Sequence, residues 1–424
     1  MRWIHAAGRG LLVLVVIVTG QVASGVGPGR GLAAEGRGPL TLATAGDLTG
    51  YLGSVLEGWN RTHPGEKVTL VELPDSADET QAQMATDLRD GDRSRFDVLN
   101  IDVSWTSEFA AHGWIRPLAR DRFPVDTFLP RVVNTATYDG QLYAVPYVTN
   151  AGLLLYRKDI LDKEGVDPPR TWSELERAAR TIAPEYGLDG YAGQFLPYEG
   201  LTVNAAEAVY SAGGTILGDE GERVTVNSTA AREGIGFLAR GVREGWIPKQ
   251  ALTYKEEESK RAFQDGRLLF LRNWPYAYVG ASAQGSPVAG KIGAVPLPGP
   301  DGPGTSVLGG SNLAVSSHAR HPDSAARLIA YLTSERVQRQ VLTRGALPPV
   351  RADIYEDPEL VRQFPYLPTL RESVRTAAPR PKSPRYDQVS LVVQAVVHDA
   401  MAGRQTPAAA VRRLAGELDA VSSR

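Results

Sequence analysis

The sequence predicts an α/β protein of two lobes, each a sheet flanked by helices, and three observations carry that expectation. Val68–Leu73 and Phe96–Ile101 are short apolar, β-branched runs of strand length. Stretches with helical spacing separate them, and this alternation implies parallel sheets covered by helices on both faces. A chain of 424 residues has also passed the size at which a single core usually stops growing, so two lobes, or three, are expected. With 42% apolar and 22% charged residues the composition is that of an ordinary globular protein, neither disordered nor fibrous.

Taken in chain order, the first segment reads as an address. Arg2 and Arg9 precede an apolar run from Leu11 to Val18, and small residues follow to Leu32-Ala33-Ala34, the pattern of a cleaved secretory signal. The run is about half of the ~20 residues that span a membrane. Removing residues 1–34 would leave 43 basic and 48 acidic residues, a net charge of −5. Gly25–Gly38 looks like a flexible lead-in. Thr171-Trp172-Ser173-Glu174 is a capping box that opens a helix through Leu175, Ala178 and Ile182. Leu268–Leu271 reads as a buried strand, and Pro322-Asp323-Ser324 starts a helix through Leu328, Ile329 and Leu332. Gly/Pro punctuation gathers at Pro296–Gly304 and at Pro348-Pro349. A Pro-rich stretch from Pro358 to Pro384 precedes a last helical pattern, Gln388–Met401.

Composition excludes several chemistries. The absence of Cys removes thiol nucleophiles, Cys-ligated zinc, iron–sulfur clusters, disulfides and a lipid-modified N-terminal Cys. A net charge of −2, from 46 basic and 48 acidic residues, offers no field to attract nucleic acid. Only His318 and His321 of the six histidines are close in sequence, and a solvated turn explains them better than a metal. No nucleophile elbow, phosphate-binding loop or His-Glu-x-x-His motif occurs. Paired carboxylates drawn from anywhere in the chain could still make a glycosidase, which stays open as the enzyme reading. The strand through Ile101 turns polar at Asp102, where open α/β sheets collect ligands, although a carboxylate capping the Ser104-Trp105 turn fits equally. Trp274 and Tyr276 beside Pro275 fit core packing or a flat platform for a sugar ring. Gln194, Tyr198 and Glu199 add an amide, an aromatic and a carboxylate before a helical pattern.

Several stretches together carry a resemblance. They are Asn100-Ile101-Asp102-Val103-Ser104-Trp105 with the Phe109–Leu118 that follows, Ala144-Val145-Pro146-Tyr147 leading into Leu153–Asp159, and Pro168-Pro169-Arg170-Thr171-Trp172. Further along are Tyr198-Glu199-Gly200-Leu201, Arg272-Asn273-Trp274-Pro275-Tyr276 and Gly309-Gly310-Ser311-Asn312. In this order the chain resembles the extracellular solute-binding proteins of ABC importers, in the carbohydrate-binding family that includes trehalose/maltose-binding proteins. The resemblance implies a two-lobed periplasmic-binding-protein fold of type II, with a hinge and a ligand cleft. The first lobe would take residues 39–147 and 293–340, and the second 148–292 and 341–424.

By the same resemblance, Asp47 and Asp102 would accept sugar hydroxyl hydrogens, Trp274 and Tyr276 would stack on a ring, and Tyr198, Glu199 and Arg380 would add polar contacts. Tyr147, Asn150, Gln194, Gly310 and Ser311 complete the expected set. Asn150 stands where relatives often have Asp, and Ser311 where they commonly have Trp, so the identity of the sugar is left open. The resemblance implies a monomer at the outer face of the cytoplasmic membrane that passes a small sugar to permease subunits. It implies no cofactor, metal or nucleic acid. A neutral α-linked disaccharide such as trehalose or maltose is the expected ligand; another oligosaccharide, a polyol or a phosphorylated sugar are the alternatives.

Overall fold

The structure, a computed structural model, describes residues 36–46, 50–74, 76–218, 221 and 223–423. The expected leader and Asp47 lie outside the described residues. The strands are β1 (Leu40–Ala45), β2 (Val68–Leu73), β3 (Val98–Asp102), β4 (Thr137–Tyr138), β5 (Gln141–Leu142), β6 (Ala144–Ala151), β7 (Leu153–Arg157), β8 (Asp189–Ala192), β9 (Leu268–Asn273), β10 (Ile292–Pro296) and β11 (Leu308–Val315). One sheet has the order β2-β1-β3-β11-β6 and another β10-β7-β9-β8, while β4 and β5 form a small hairpin.

Both large sheets are mixed, where parallel sheets were expected. Parallel pairing joins β1 to β2 and β3, and β8 to β9. In contrast, β11 runs antiparallel to β3 and β6, and β7 antiparallel to β9 and β10. The wiring explains the difference. β6 leaves the first sheet through Gly152 for β7 of the other, and the chain re-enters the first only at β11, so the strands that meet there are not joined by the crossover helix that makes neighbours parallel.

Two apolar cores lie on these sheets. The first gathers side chains between Leu40 and Ala151 and again between Leu308 and Ala377, with Tyr386. The second gathers those between Leu153 and Val307 and between Val389 and Leu418. The expected lobe limits differ from this division in three places. Val148 and Ala151 belong to the first core because β6 pairs with β11. Leu297 and Val307 belong to the second, in the stretch after β10, which pairs with β7. Val341, Leu342, Val350, Ile354, Leu367 and Leu370 fill the first core, not the second. The Pro348-Pro349 punctuation is therefore no crossing: Pro348 accepts a bond from the Thr149 N–H at 3.1 Å and keeps the chain against β6.

Local signals hold where they rest on capping and periodicity. The helix Trp172–Glu185 opens on the expected box, with Thr171 Oγ1 accepting from the Glu174 N–H and Glu174 accepting from the Thr171 N–H. It buries Leu175, Ala178 and Ile182. The helices Pro322–Leu332 and Tyr386–Met401 lie where their patterns place them. Among the described residues no helix is long and apolar enough to cross a membrane.

Candidate functional site

The chain passes between the two cores at Gly152, at Val307-Leu308 and in the segment from 378 to 388; Asn150, Gly310, Ser311 and Arg380 lie at or within three residues of these passages, and Asp102 pairs with Ser311. In that last segment Ala378 lies beside Val307 and accepts the Leu308 N–H at 2.9 Å. The neighbouring Arg380 is thereby held between the halves.

Arg380 joins two carboxylates that belong to different halves. Its Nη2 donates to Asp102 Oδ1 at 2.6 Å and its Nη1 to Glu199 Oε1 at 2.5 Å. Asp102 ends β3 of the first sheet, whereas Glu199 opens the helix Glu199–Ser211 over the second. A carboxylate in the first turn suits the positive end of the helix dipole. Asp102 Oδ1 also accepts the Ser104 N–H at 2.8 Å and its hydroxyl at 2.7 Å, so the oxygen that meets Arg380 also caps the turn. Glu199 accepts further from the Tyr386 and Ser390 hydroxyls, both at 2.5 Å. Burial pushes the Glu199 carboxyl up, and the Arg380 charge opposes that rise. Burial also works against the Arg380 charge, yet Asp102, Tyr386 and Glu199 outweigh it and hold the guanidinium above its ordinary range. One polar atom in this cluster has no partner: Arg380 Nε is buried and unbonded.

β6 and β11 supply the neighbouring surface. Asn150 on β6 faces Gly309 on β11, and its Oδ1 is likewise buried and unpartnered. Ser311 is opposite Asp102 in register, next to the bulge between Ser311 and Asn312. Gly310 has φ +106, and a Cβ there would sit 2.1 Å from the Val148 carbonyl oxygen. Only glycine fits this close approach.

The aromatic residues come from the second half. Trp274 follows β9 and is half-buried, its backbone N–H bonded to Asn273 Oδ1 at 2.7 Å. One edge of its indole meets β11, where a Cβ on Gly309 would lie 2.8 Å from the ring. The Arg272 guanidinium lies 4.2 Å from the ring centroid. Tyr276 donates to Glu257 at 2.9 Å and Tyr198 to Glu256 at 2.6 Å. Burial first, then these carboxylates, keep both phenols protonated. Lys260 lies 5.0 Å from the Tyr276 ring and Lys255 5.6 Å from that of Tyr198.

Two expected residues are placed inside a core instead. Gln194 is fully buried: its Oε1 accepts from Arg272 Nη1 at 2.8 Å, and its Nε2 donates to Ser259 Oγ and to the Arg272 carbonyl. Its amide is committed to protein partners. Tyr147 is 1% exposed and its hydroxyl meets that of Tyr51 at 2.8 Å. The groups that sequence reading missed are Arg272 and Glu207, an ion pair at 2.6 Å with side chains 1% and 5% exposed. A signal existed: Glu207 is a lone charge in the apolar run Ala205-Ala206-Glu207-Ala208-Val209, and Arg272 directly follows the four apolar residues Leu268–Leu271. Two first-half carboxylates also face the second half. Burial raises the carboxyl of Asp78, which the Glu199 N–H and Gln394 counteract. Burial, then the nearby Asp387, pushes Glu108 up to about 8.

A groove of about 630 Å³ in the second half, lined by Trp172, Glu176, Ser211, Glu233, Arg240 and Asp301 among others, contains none of the expected site residues.

Comparison with known proteins agrees with this architecture. The model of the bacterial extracellular solute-binding protein family matches residues 45–339. A probable ABC transporter-binding protein of Deinococcus radiodurans is 34% identical over 372 residues, covering 85% of this chain and 88% of its own. Among solved structures, maltose-bound MalE3 of T. maritima matches with a TM-score of 0.84 and 34% identity, covering 90% of this chain and 99% of its own. An ABC transporter solute-binding protein of Thermotoga lettingae, bound with α-D-tagatose, matches with a TM-score of 0.81 and 25% identity, covering 91% and 100%. These are binding proteins and not enzymes, which removes the glycosidase alternative. With two mixed sheets, chain passages between two cores and a family match over most of its length, the chain belongs to the bacterial extracellular solute-binding proteins.

Proposed function

We propose that this protein captures a neutral sugar between its halves, an α-linked disaccharide such as maltose or trehalose, and delivers it to the permease of an ABC importer. The expected export signal and the family support capture on the outer side of the cytoplasmic membrane. The observation that carries the reading is the Asp102–Arg380–Glu199 bridge with its unpartnered Arg380 Nε, close to β11 and β6 with the unpartnered Asn150 Oδ1. A buried donor and a buried acceptor without partners are costly to leave unmade, and hydroxyl groups can serve both. The cluster holds one cation against two carboxylates, so it offers an anionic ligand little attraction. The half-buried Trp274 ring adds an apolar face for a pyranose. A guest touching Asp102 on one half and Trp274 on the other binds the closed form better than the open form, and closure follows as a population shift.

A second reading, a monosaccharide or polyol, draws support from the short span of the bridge, since one guanidinium reaches both carboxylates. It also draws on the tagatose-bound relative. A thermal-shift panel of maltose, trehalose, tagatose and mannitol separates the two. A ligand at 100 times its dissociation constant adds ~2.7 kcal/mol of apparent stability. The disaccharides should stabilise most, and Trp274→Ala should weaken their binding at least about tenfold, a loss of ~1.4 kcal/mol, with the apo melting temperature little changed. Stabilisation by none of the four would remove the sugar reading.

A further inference from the structure

We propose that the buried Arg272–Glu207 pair is a positioning device that ties the orientation of the Trp274 ring to the backbone passages between the halves. This rests on the reading of Trp274 as the ring platform. The geometry begins with Arg272. Its Nε and Nη2 donate to Glu207 Oε2 and Oε1 at 2.7 and 2.6 Å, and its Nη1 donates to Gln194 Oε1 at 2.8 Å. Every nitrogen of the fork is therefore engaged, which fixes the guanidinium plane, and it is against this plane that the indole lies at 4.2 Å.

Glu207 carries the other half of the device. Its Oε1 also accepts from Ser306 Oγ at 3.0 Å, and Ser306 Oγ in turn accepts from the Gly152 N–H at 2.6 Å. The Val307 N–H approaches the same carboxylate oxygen at 3.4 Å. Gly152 links β6 to β7, and Ser306-Val307 leads from the second core into β11, so one carboxylate holds two passages at once. The fit is close at Gly152, where a Cβ would lie 2.4 Å from Glu207 Oε1 and 2.7 Å from Arg272 Nη2. The edge of the ring also meets β11 at Gly309, just after the Val307-Leu308 passage. A change in the angle between the halves displaces Gly152 and Ser306, and with them Glu207, Arg272 and the indole. A guest lying on Trp274 acts back along the same path.

The test uses the full chain labelled with 5-fluorotryptophan, with the Trp274 ¹⁹F resonance assigned by Trp274→Phe. Ser306→Ala touches neither the ring nor Arg272 and leaves the ion pair in place. It should shift or broaden the Trp274 resonance in the ligand-free protein and speed hydrogen exchange at Gly152 and Val307 at least about tenfold. Arg272→Lys keeps the charge but loses the planar fork; it should move the same resonance, and in its background Ser306→Ala should move it no further. A resonance indifferent to Ser306→Ala in a folded protein overturns the proposal, whatever the ligand. Maltose titration supplies a separate arm: Ser306→Ala should weaken binding, and that loss should vanish in the Trp274→Ala background. Maltose affinity unchanged by Trp274→Ala would instead sink the platform reading, with the fluorine result still deciding the coupling.

Discussion

Arg380 is 2% exposed in its side chain and carries a full charge, a state that survives only because Asp102 and Glu199 flank it. Removing one partner of such a cluster leaves the other charge buried, so Arg380→Met should lower unfolding stability at pH 8 by on the order of 3 kcal/mol. The pH dependence has a definite sign. Without the guanidinium, burial and the Asp102 charge act on Glu199 against the Ser390 and Tyr386 hydroxyls alone, and its carboxyl rises further. The folded state then holds a proton that the unfolded state has released, so the variant regains stability as pH falls toward 4.5. Urea titrations at pH 5 and pH 8 should show the smaller deficit at pH 5; an equal deficit at both would place the loss in packing. Asp102, Glu199 and Trp274 stand out in the sequence because a polar strand end, a helix start and an aromatic after a strand are local patterns, and the structure has them at those places. The burial of Gln194 and Tyr147 was not legible, because Arg272 and Tyr51, the partners that they meet, are remote in sequence.

Among the elements, the short helix Thr106–Ala111 carries the most unusual group. Glu108 is 2% exposed, accepts from Gln81 Nε2 at 2.7 Å, and has its other oxygen buried without a partner. Burial pushes its carboxyl from 4.5 to about 8, Asp387 adds to the rise, and Arg89 and Gln81 oppose it. The raised carboxyl binds a proton in the folded state that the unfolded state gives up above 4.5. Its contribution to stability is therefore present at low pH and lost as pH climbs through about 8. Glu108→Gln can still accept the Gln81 bond and does not titrate. Relative to this variant, the wild-type protein should lose on the order of 3 kcal/mol between pH 5 and pH 9, read from paired urea titrations. A constant difference across that range would mean that Glu108 stays ionised. Element type was legible wherever capping or periodicity wrote it, as at Thr171. Strand direction was not, because the alternation of strands and helices is blind to a chain that leaves for the other half and returns antiparallel, as β11 does.

The whole molecule is governed by that return. β11 is the middle strand between β3 and β6, and Leu328, Ile329, Leu332, Val337 and Val341 pack into the same core after it. The second core likewise borrows Val389–Leu418 from the far end of the chain. Neither half is a continuous stretch, and Pro348-Pro349 marks a contact with β6. Cutting at Gly152 therefore separates no domain. A fragment of residues 36–151 would expose the edges of β3 and β6 that β11 pairs in the intact chain, and would lose the apolar side chains that cover them. It should lack a cooperative urea transition and show the far-UV circular dichroism of an unfolded chain. A fragment that folded cooperatively would mean that the first core is complete without β11. The hinge would then join two independent domains, whereas the shared strands make closure a motion between halves that each depend on the whole chain for their stability.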